Sequence, residues 1–333
     1  MSTHVTIIAE AGVNHNGDIG TALKMIEVAA ATGADYIKFQ SFKTEKLVTS
    51  DAPKAAYQEI QTGIAGGQFA MLKGLELDEP AHVRLMEHAG RCGIRMISTP
   101  FDEESAEMLN RLNVDLFKLG SGDLTNILLL RQLAGYRKPV ILSTGMADME
   151  DIRKALDILF QAGMDRSLIT LLHANTDYPT PYSDVNLRAM QTMERELGVR
   201  VGYSDHTDGI EVAVAAVALG AGVIEKHFTL DRHMEGPDHR ASLEPAELEK
   251  MIRSIRNIEA ALGSAEKRPS SGERKNMAAA RKSIVAARPI KKGERLTAGN
   301  LTVKRPGTGI CPFRWDDIIG TFAARDYRAD ELI

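Results

Sequence analysis

From residue 5 to about residue 262 the chain alternates short apolar runs with longer segments whose apolar positions recur at helical spacing. The runs fall at 6–9, 36–39, 95–97, 116–119, 140–142, 169–172, 201–203 and 223–225. They are short and rich in β-branched and other apolar residues, as buried strands are. Segments of helical period follow at 20–32, 81–92, 103–112, 126–133, 149–162, 186–197, 210–219 and 245–262. Strand then helix, eight times over, predicts an α/β fold built on a parallel sheet, the (β/α)8 or TIM barrel. An open doubly wound sheet obeys the same alternation, because periodicity does not report closure.

Two stretches break the rhythm. Residues 41–80 form a long insertion after the second run, with a helix near 68–75 and a loop tip near 63–67 that reads equally as a lid or as disorder. Beyond Leu262 the sequence GSAEKRPSSGERKN is polar and charged, the composition of a linker. The expected organisation is a barrel over 1–262, a linker over 263–282 and a small module over 283–333. Strand-like 283–286 and 301–304 flank a turn at 291–294 in that module. A module of this size has little core of its own, so docking on the barrel or on a partner's barrel is expected to supply the rest.

Composition narrows the function classes. At 333 residues, 44% hydrophobic and 26% charged, the chain is ordinary for a soluble protein. A net charge of −4 provides no basic field for nucleic acid. Cys92 and Cys311 make neither a ligand spacing nor a disulfide framework, which fits a reducing cytoplasm. The apolar run 5–9 is cut by Glu10, too early for a signal-peptide core or a membrane span. The expectation is a cytoplasmic protein with no membrane partner.

The candidate chemistry lies where the runs end. Active sites of this fold gather at the carboxyl ends of the strands, and nearly every run here ends in polar residues. Lys38 and Lys118 sit within YIKFQ and LFKLGSG, where an unpaired ammonium is costly; they are expected to face a bound anion. Thr99, Ser121, Ser143 or Thr144, and Ser204 stand beside them with hydroxyl and backbone donors. His206 and His227 end two successive runs, VGYSDH and VIEKH. One such histidine is ordinarily structural, but two together can share a divalent cation. His4, His82, His88 and His233 lack this setting and read as surface residues.

These stretches resemble a known family: the chain looks like a sialic acid synthase of the bacterial N-acetylneuraminate synthase family. The matching motifs are AEAGVNHNG (9–17), IKFQSFK (37–43), STPFDEES (98–105), KLGSGD (118–123), ILSTGMA (141–147), LLHANTDYPTP (171–181), GYSDHT (202–207), IEKHFTLD (224–231) and GPDH (236–239). ARKSIVA (280–286) and KRPGTGI (304–310) resemble the family's antifreeze-like, or SAF, module.

The resemblance implies condensation of phosphoenolpyruvate with N-acetylmannosamine, giving N-acetylneuraminate and phosphate by C–O cleavage. It places a divalent metal, Mn²⁺ with Mg²⁺ or Co²⁺ able to substitute, on His206 and His227. It places phosphoenolpyruvate on Lys38, Thr99, Lys118, Ser121, Ser143 or Thr144, Asn175 and Ser204. The sugar falls to Glu10, Gln40, Tyr178 and Asp238, and to Arg305 from the SAF module of the second subunit of a homodimer. Glu10 is the expected organiser of sugar hydroxyls and attacking water. The family often has Glu where Asp123 stands, shortening a sugar or metal-water contact, and often Cys where Ala174 stands. Thr62 and Gly63 lie where some relatives place a sugar-binding Asn, and nothing is carried onto them.

Other readings share these residues. LHANTDYPTP and GPDH resemble the N,N'-diacetyllegionaminate synthases equally, whose sugar is 2,4-diacetamido-2,4,6-trideoxymannose, and pseudaminate synthases less closely. A non-catalytic sugar-binding barrel would have lost a metal histidine or an anion-binding lysine. A barrel hydrolase would show three-histidine or carboxylate-rich ligation.

Overall fold

The computed structural model describes residues 4–54, 58–59 and 67–333. Thr62, Gly63 and most of the expected loop tip lie outside these residues. Two compact units are present, Met1–Gly263 and Ser264–Ile333.

Among the described residues the first unit contains eight parallel strands: β1 Thr6–Gly12, β2 Tyr36–Ser41, β3 Arg95–Pro100, β4 Phe117–Leu119, β5 Val140–Ser143, β6 Ile169–Ala174, β7 Arg200–Asp205 and β8 Val223–His227. Their hydrogen-bonded order is β3-β2-β1-β8-β7-β6-β5-β4. The first strand thus pairs with the last, while β3 lies against β4. The sheet curls into a barrel, and the doubly wound alternative is excluded.

The helices are α1 Ile19–Ala31, α2 Thr44–Leu47, α3 Gln68–Lys73, α4 Glu79–Cys92, α5 Glu103–Arg111, α6 Ile127–Tyr136, α7 Met149–Gln161, α8 Arg188–Leu197, α9 Glu211–Ala218 and α10 Pro245–Leu262. Aspartates open several of them. The carboxylates of Asp18, Asp78, Asp102 and Asp148 accept backbone N–H groups of the first turns of α1, α4, α5 and α7, satisfying donors a helix start leaves orphaned.

Period-two alternation divides each strand between two environments. Ile8, Tyr36, Ile97, Leu116, Ile141, Leu172 and Val223 form a buried apolar floor inside the ring. Outward residues such as Ile7, Ile37, Phe117, Leu171 and Ile224 join the main core under the helices. Two residues beyond the floor, most strands turn a polar side chain inward, and several strands run past the apolar stretch that predicts them. The site residues Ser143, Ser204 and His227 are therefore ladder residues, as is Lys38 within its own run.

Asp205 and Lys226 lie on the outer face. Lys226 Nζ is 2.9 Å from Asp205 Oδ2 and also donates to the Thr207 carbonyl. Asp205 Oδ1 accepts from the Thr207 backbone N–H at 2.9 Å and its hydroxyl at 2.7 Å. Both side chains of the ion pair are fully buried.

His82, expected at the surface, is buried on α4 with Ala81, Leu85 and Ala89. Its Nδ1–H donates to the Asp78 carbonyl at 2.9 Å, leaving Nε2 to accept from Ser41 Oγ at 2.6 Å. Burial holds it below the usual imidazole value and pushes His15 down to about 4. Both are neutral in the fold but titrate near pH 6.5 when unfolded. Their contribution is complete above about pH 6.5 and is lost as pH falls toward 4. The urea midpoint is accordingly expected to drop between pH 7 and pH 5, and a flat profile would contradict this assignment.

The second unit contains α11 Ser271–Ala280, β9 Ser283–Ala286, β10 Leu301–Lys304 and α12 Trp315–Ile318. β9 and β10 pair antiparallel, with Leu301 opposite Ala286. Ile284, Ala286, Ile290, Leu296, Leu301, Ala323 and Tyr327 form its small core. The stretch expected as linker is helical over α11. Ser270 and Glu273 make a reciprocal capping box that starts the helix without apolar residues.

Candidate active site

The carboxyl ends of the barrel strands open into a cavity of about 850 Å³. Of the residues expected in the site, Glu10, Lys38, Gln40, Thr99, Lys118, Ser121, Ser143, Tyr178, Ser204, His206, His227 and Asp238 line it. Three expected residues do not. Asp123 is buried beside Asn126, whose amide donates to it at 3.1 Å. Asn175 lies behind His206, with its side-chain amide on the Asp184 carbonyl at 3.0 Å. Arg305 belongs to the second unit, where its Nε donates to the Ala280 carbonyl at 3.0 Å. Of Ser143 and Thr144, Ser143 lines the cavity, whereas Thr144 Oγ1 donates to the Leu172 carbonyl at 2.9 Å.

Both expected anion-binding lysines are buried, and neither stands unpaired. Lys38 Nζ lies 2.8 Å from Glu10 Oε1, 3.8 Å from Glu225 Oε2 and 3.0 Å from Thr99 Oγ1. Lys118 Nζ donates to Ser143 Oγ at 2.7 Å and the Leu119 carbonyl at 2.8 Å, with Glu225 Oε1 at 3.5 Å. Ser204 Oγ donates to that same Glu225 oxygen at 2.9 Å. Glu225 is thus the counter-ion joining both lysines, a role the sequence reading missed. The signal was present: Glu225 precedes His227 by two residues on β8, so the two share a face.

Two glycines make room here. Gly12, at φ +53°, follows a bulge in β1, and a Cβ there would stand 3.3 Å from Glu10 Oε1. A Cβ on Gly145 would meet Ser121 Oγ at 2.8 Å, where the Gly145 N–H donates at 3.0 Å.

Burial sets the protonation states. Desolvation pushes Glu10 up to about 7 against the pull of Lys38. It pushes Lys118 down to about 8 although Glu225 opposes it. Burial also disfavours the charged form of Lys38, but Glu10 and Glu225 outweigh that and hold it above its ordinary value. Asp238 is raised to about 6 by burial, with Lys38 countering. His206 is lowered to about 4 and His227 well below its usual value, burial being the largest cause in both.

The two imidazoles have the properties of metal ligands. Their ring centroids are 5.4 Å apart, and both rings adjoin Tyr178, at 4.2 and 5.6 Å. His206 Nδ1–H donates to the Asn175 carbonyl at 2.6 Å, which fixes the tautomer with a bare Nε2. His227 Nδ1 is buried without a hydrogen-bond partner. Two neutral rings with open nitrogens fit a divalent ion. Among the described residues no group of three or more His, Cys, Asp or Glu is arranged to hold one.

A larger cleft of about 1070 Å³ lies outside the barrel ends, lined by Lys43, Lys73 and Arg111 among others. These cations already face Glu104, Glu76 and Glu79. No described helix is long and apolar enough to cross a membrane.

Comparison with known proteins matches residues 25–267 to the NeuB family and residues 281–333 to the SAF domain. The chain is 51% identical to an N,N'-diacetyllegionaminic acid synthase of Campylobacter jejuni, over 98% of each protein. It is 45% identical to one of Legionella pneumophila, covering 95% of this chain and 89% of that protein. An N-acetylneuraminic acid (sialic acid) synthetase structure from Leptospira borgpetersenii, in complex with citrate, superposes with a TM-score of 0.72 at 36% identity, covering 82% of this chain and 90% of that one.

Proposed function

The chain belongs to the NeuB family of sugar acid synthases and carries a C-terminal SAF domain, and from that premise we propose that it is an N,N'-diacetyllegionaminate synthase. The reaction joins phosphoenolpyruvate to 2,4-diacetamido-2,4,6-trideoxymannose. C3 of phosphoenolpyruvate attacks the aldehyde carbon of the open-chain sugar, water adds at C2, and phosphate leaves by C–O cleavage. The observation that carries this reading is the end-to-end similarity to the Campylobacter enzyme. The expectation of N-acetylmannosamine and N-acetylneuraminate is overturned. The two legionaminic acid synthases are 51% and 45% identical to this chain, and the sialic acid synthetase, at 36%, stands below them.

In this reading Lys38 and Lys118 hold the phosphate and carboxylate of phosphoenolpyruvate, helped by the hydroxyls of Thr99, Ser143 and Ser204 and by the Ser121–Gly145 contact. The arriving anion competes with Glu10 and Glu225 for the two ammonium groups. Glu10, near 7, can accept or donate a proton close to neutrality. The buried oxygen Oε2 of Glu225 has no hydrogen-bond partner and can accept one from water. Gln40, Tyr178 and Asp238 bound the sugar side. A divalent ion, Mn²⁺ or in its place Mg²⁺ or Co²⁺, would be held by His206 and His227 and supply Lewis acidity toward the aldehyde oxygen. A homodimer in which Arg305 completes the partner's site remains part of the reading, supported by the exposed Arg305 and the small core of its unit.

The test is phosphate release from phosphoenolpyruvate with Mn²⁺, offering the diacetamido sugar and N-acetylmannosamine in parallel. We expect kcat/KM at least about tenfold higher for the diacetamido sugar, abolished by EDTA and restored by Mn²⁺. Equal or reversed preference defeats the assignment, and EDTA-insensitive turnover defeats the metal.

A further inference from the structure

The cavity has two chemically distinct sides. Its charged side comes from the strands, whereas an apolar wall comes largely from the insertion between β2 and α4, which also contributes Gln58 and Gln68 to the lining. Leu47 and Val48 stand at the end of α2, Met71 and Leu72 on α3, Leu75 just beyond it, and Phe101 after β3. With Val13 and Phe42 they form an apolar cluster separate from the main core. Leu72 and Leu75 are buried and anchor it, while Leu47, Val48, Met71 and Phe101 are only partly covered. The wall is fixed in place by polar contacts behind it. The Thr44 N–H donates to Glu76 Oε1 at 2.7 Å, and the Lys43 N–H to Asp102 Oδ2 at 3.0 Å.

We propose that this wall is the surface that selects the sugar, receiving the C6 methyl and the C4 acetamido methyl of the diacetamido substrate. The inference rests on the function proposed above and assigns its specificity to named residues. The sugar is itself two-sided: its reacting aldehyde end requires polar partners, and its far end carries two methyl groups. N-acetylmannosamine has hydroxyls at C4 and C6. Against leucine, valine and methionine those hydroxyls lose water and gain no hydrogen bond, which is unfavourable. A purely apolar surface discriminates modestly, by about 10–200-fold for groups of this size. The wall therefore tunes preference and leaves the chemistry to the strands.

The test uses Val48→Thr and Met71→Gln, two substitutions of similar volume on different elements at partly exposed positions. Each is expected to lower kcat/KM for the diacetamido sugar about tenfold through KM. Turnover of N-acetylmannosamine should hold or rise, and the KM for phosphoenolpyruvate should stay unchanged. Melting temperature verifies folding in both variants. A parallel loss on both sugars, or an unmoved ratio in a wild type that prefers the diacetamido sugar, overturns the wall alone. A wild type that does not prefer that sugar overturns the proposed function, and the wall assignment with it.

Discussion

Lys118→Met is expected to lower kcat/KM for phosphoenolpyruvate by about a hundredfold to a thousandfold, mainly through KM. Methionine keeps the length and apolar stem of lysine, so the change isolates the charge. In the native site Lys118 Nζ is held by Ser143 Oγ and the Leu119 carbonyl, with Glu225 as counter-ion. Truncating one partner of a buried, hydrogen-bonded charge pair costs about 2–5 kcal/mol, and each 1.4 kcal/mol is a factor of ten. The loss is compounded because Glu225 then faces the incoming anion with only Lys38, 3.8 Å away, to neutralise it. Steady-state titration of phosphoenolpyruvate at saturating sugar reads the effect. Near-normal saturation would remove Lys118 from the anion site.

Lys226→Met should produce the largest loss of stability, about 3–5 kcal/mol, lowering the melting temperature by roughly 10 °C. The lysine is fully buried and paired with Asp205 at 2.9 Å, so its removal strands a carboxylate inside the wall. The double variant Lys226→Met, Asp205→Asn is expected to recover much of the loss. Asparagine retains the oxygen that accepts from Thr207, and no buried charge is left unbalanced. Thermal unfolding of the three proteins decides it: a single variant melting within about 2 °C of wild type would show that the pair contributes little.

Much of this architecture is legible in the chain because strand and helix periods are local properties. The eight runs mark the strands closely, and polar residues after them mark the cavity mouth. What escaped has physical reasons. Glu225 stands next to a lysine, as solvated charges often do, and only the alternation that carries His227 inward shows it faces the lysines. His82 reads as a surface residue until its spacing with Leu85 and Ala89 places it on the buried face of α4. The helix over α11 buries none of its residues and has no apolar stripe, so its signal is confined to the Ser270 and Glu273 cap. Asn175 carries an expected substrate role; its backbone carbonyl accepts from His206 and its side-chain amide donates to the Asp184 carbonyl. The sugar's identity was misread because the motifs report shared phosphoenolpyruvate chemistry. On the proposed reading the far end of the sugar meets Val48 and Met71, cavity-lining residues that lie outside those motifs.

The apolar floor of Ile8, Tyr36, Ile97, Leu116, Ile141, Leu172 and Val223 also governs traffic. It makes the barrel a vessel with one mouth, so whatever seats deepest must arrive first and depart last. Lys38 and Lys118 stand two residues above Tyr36 and Leu116 of that floor, whereas His206 and His227 lie a further step toward the opening. On the proposed chemistry this imposes a queue. Phosphoenolpyruvate enters ahead of the sugar that covers it, and the phosphate freed at depth waits for the sugar acid to clear the way.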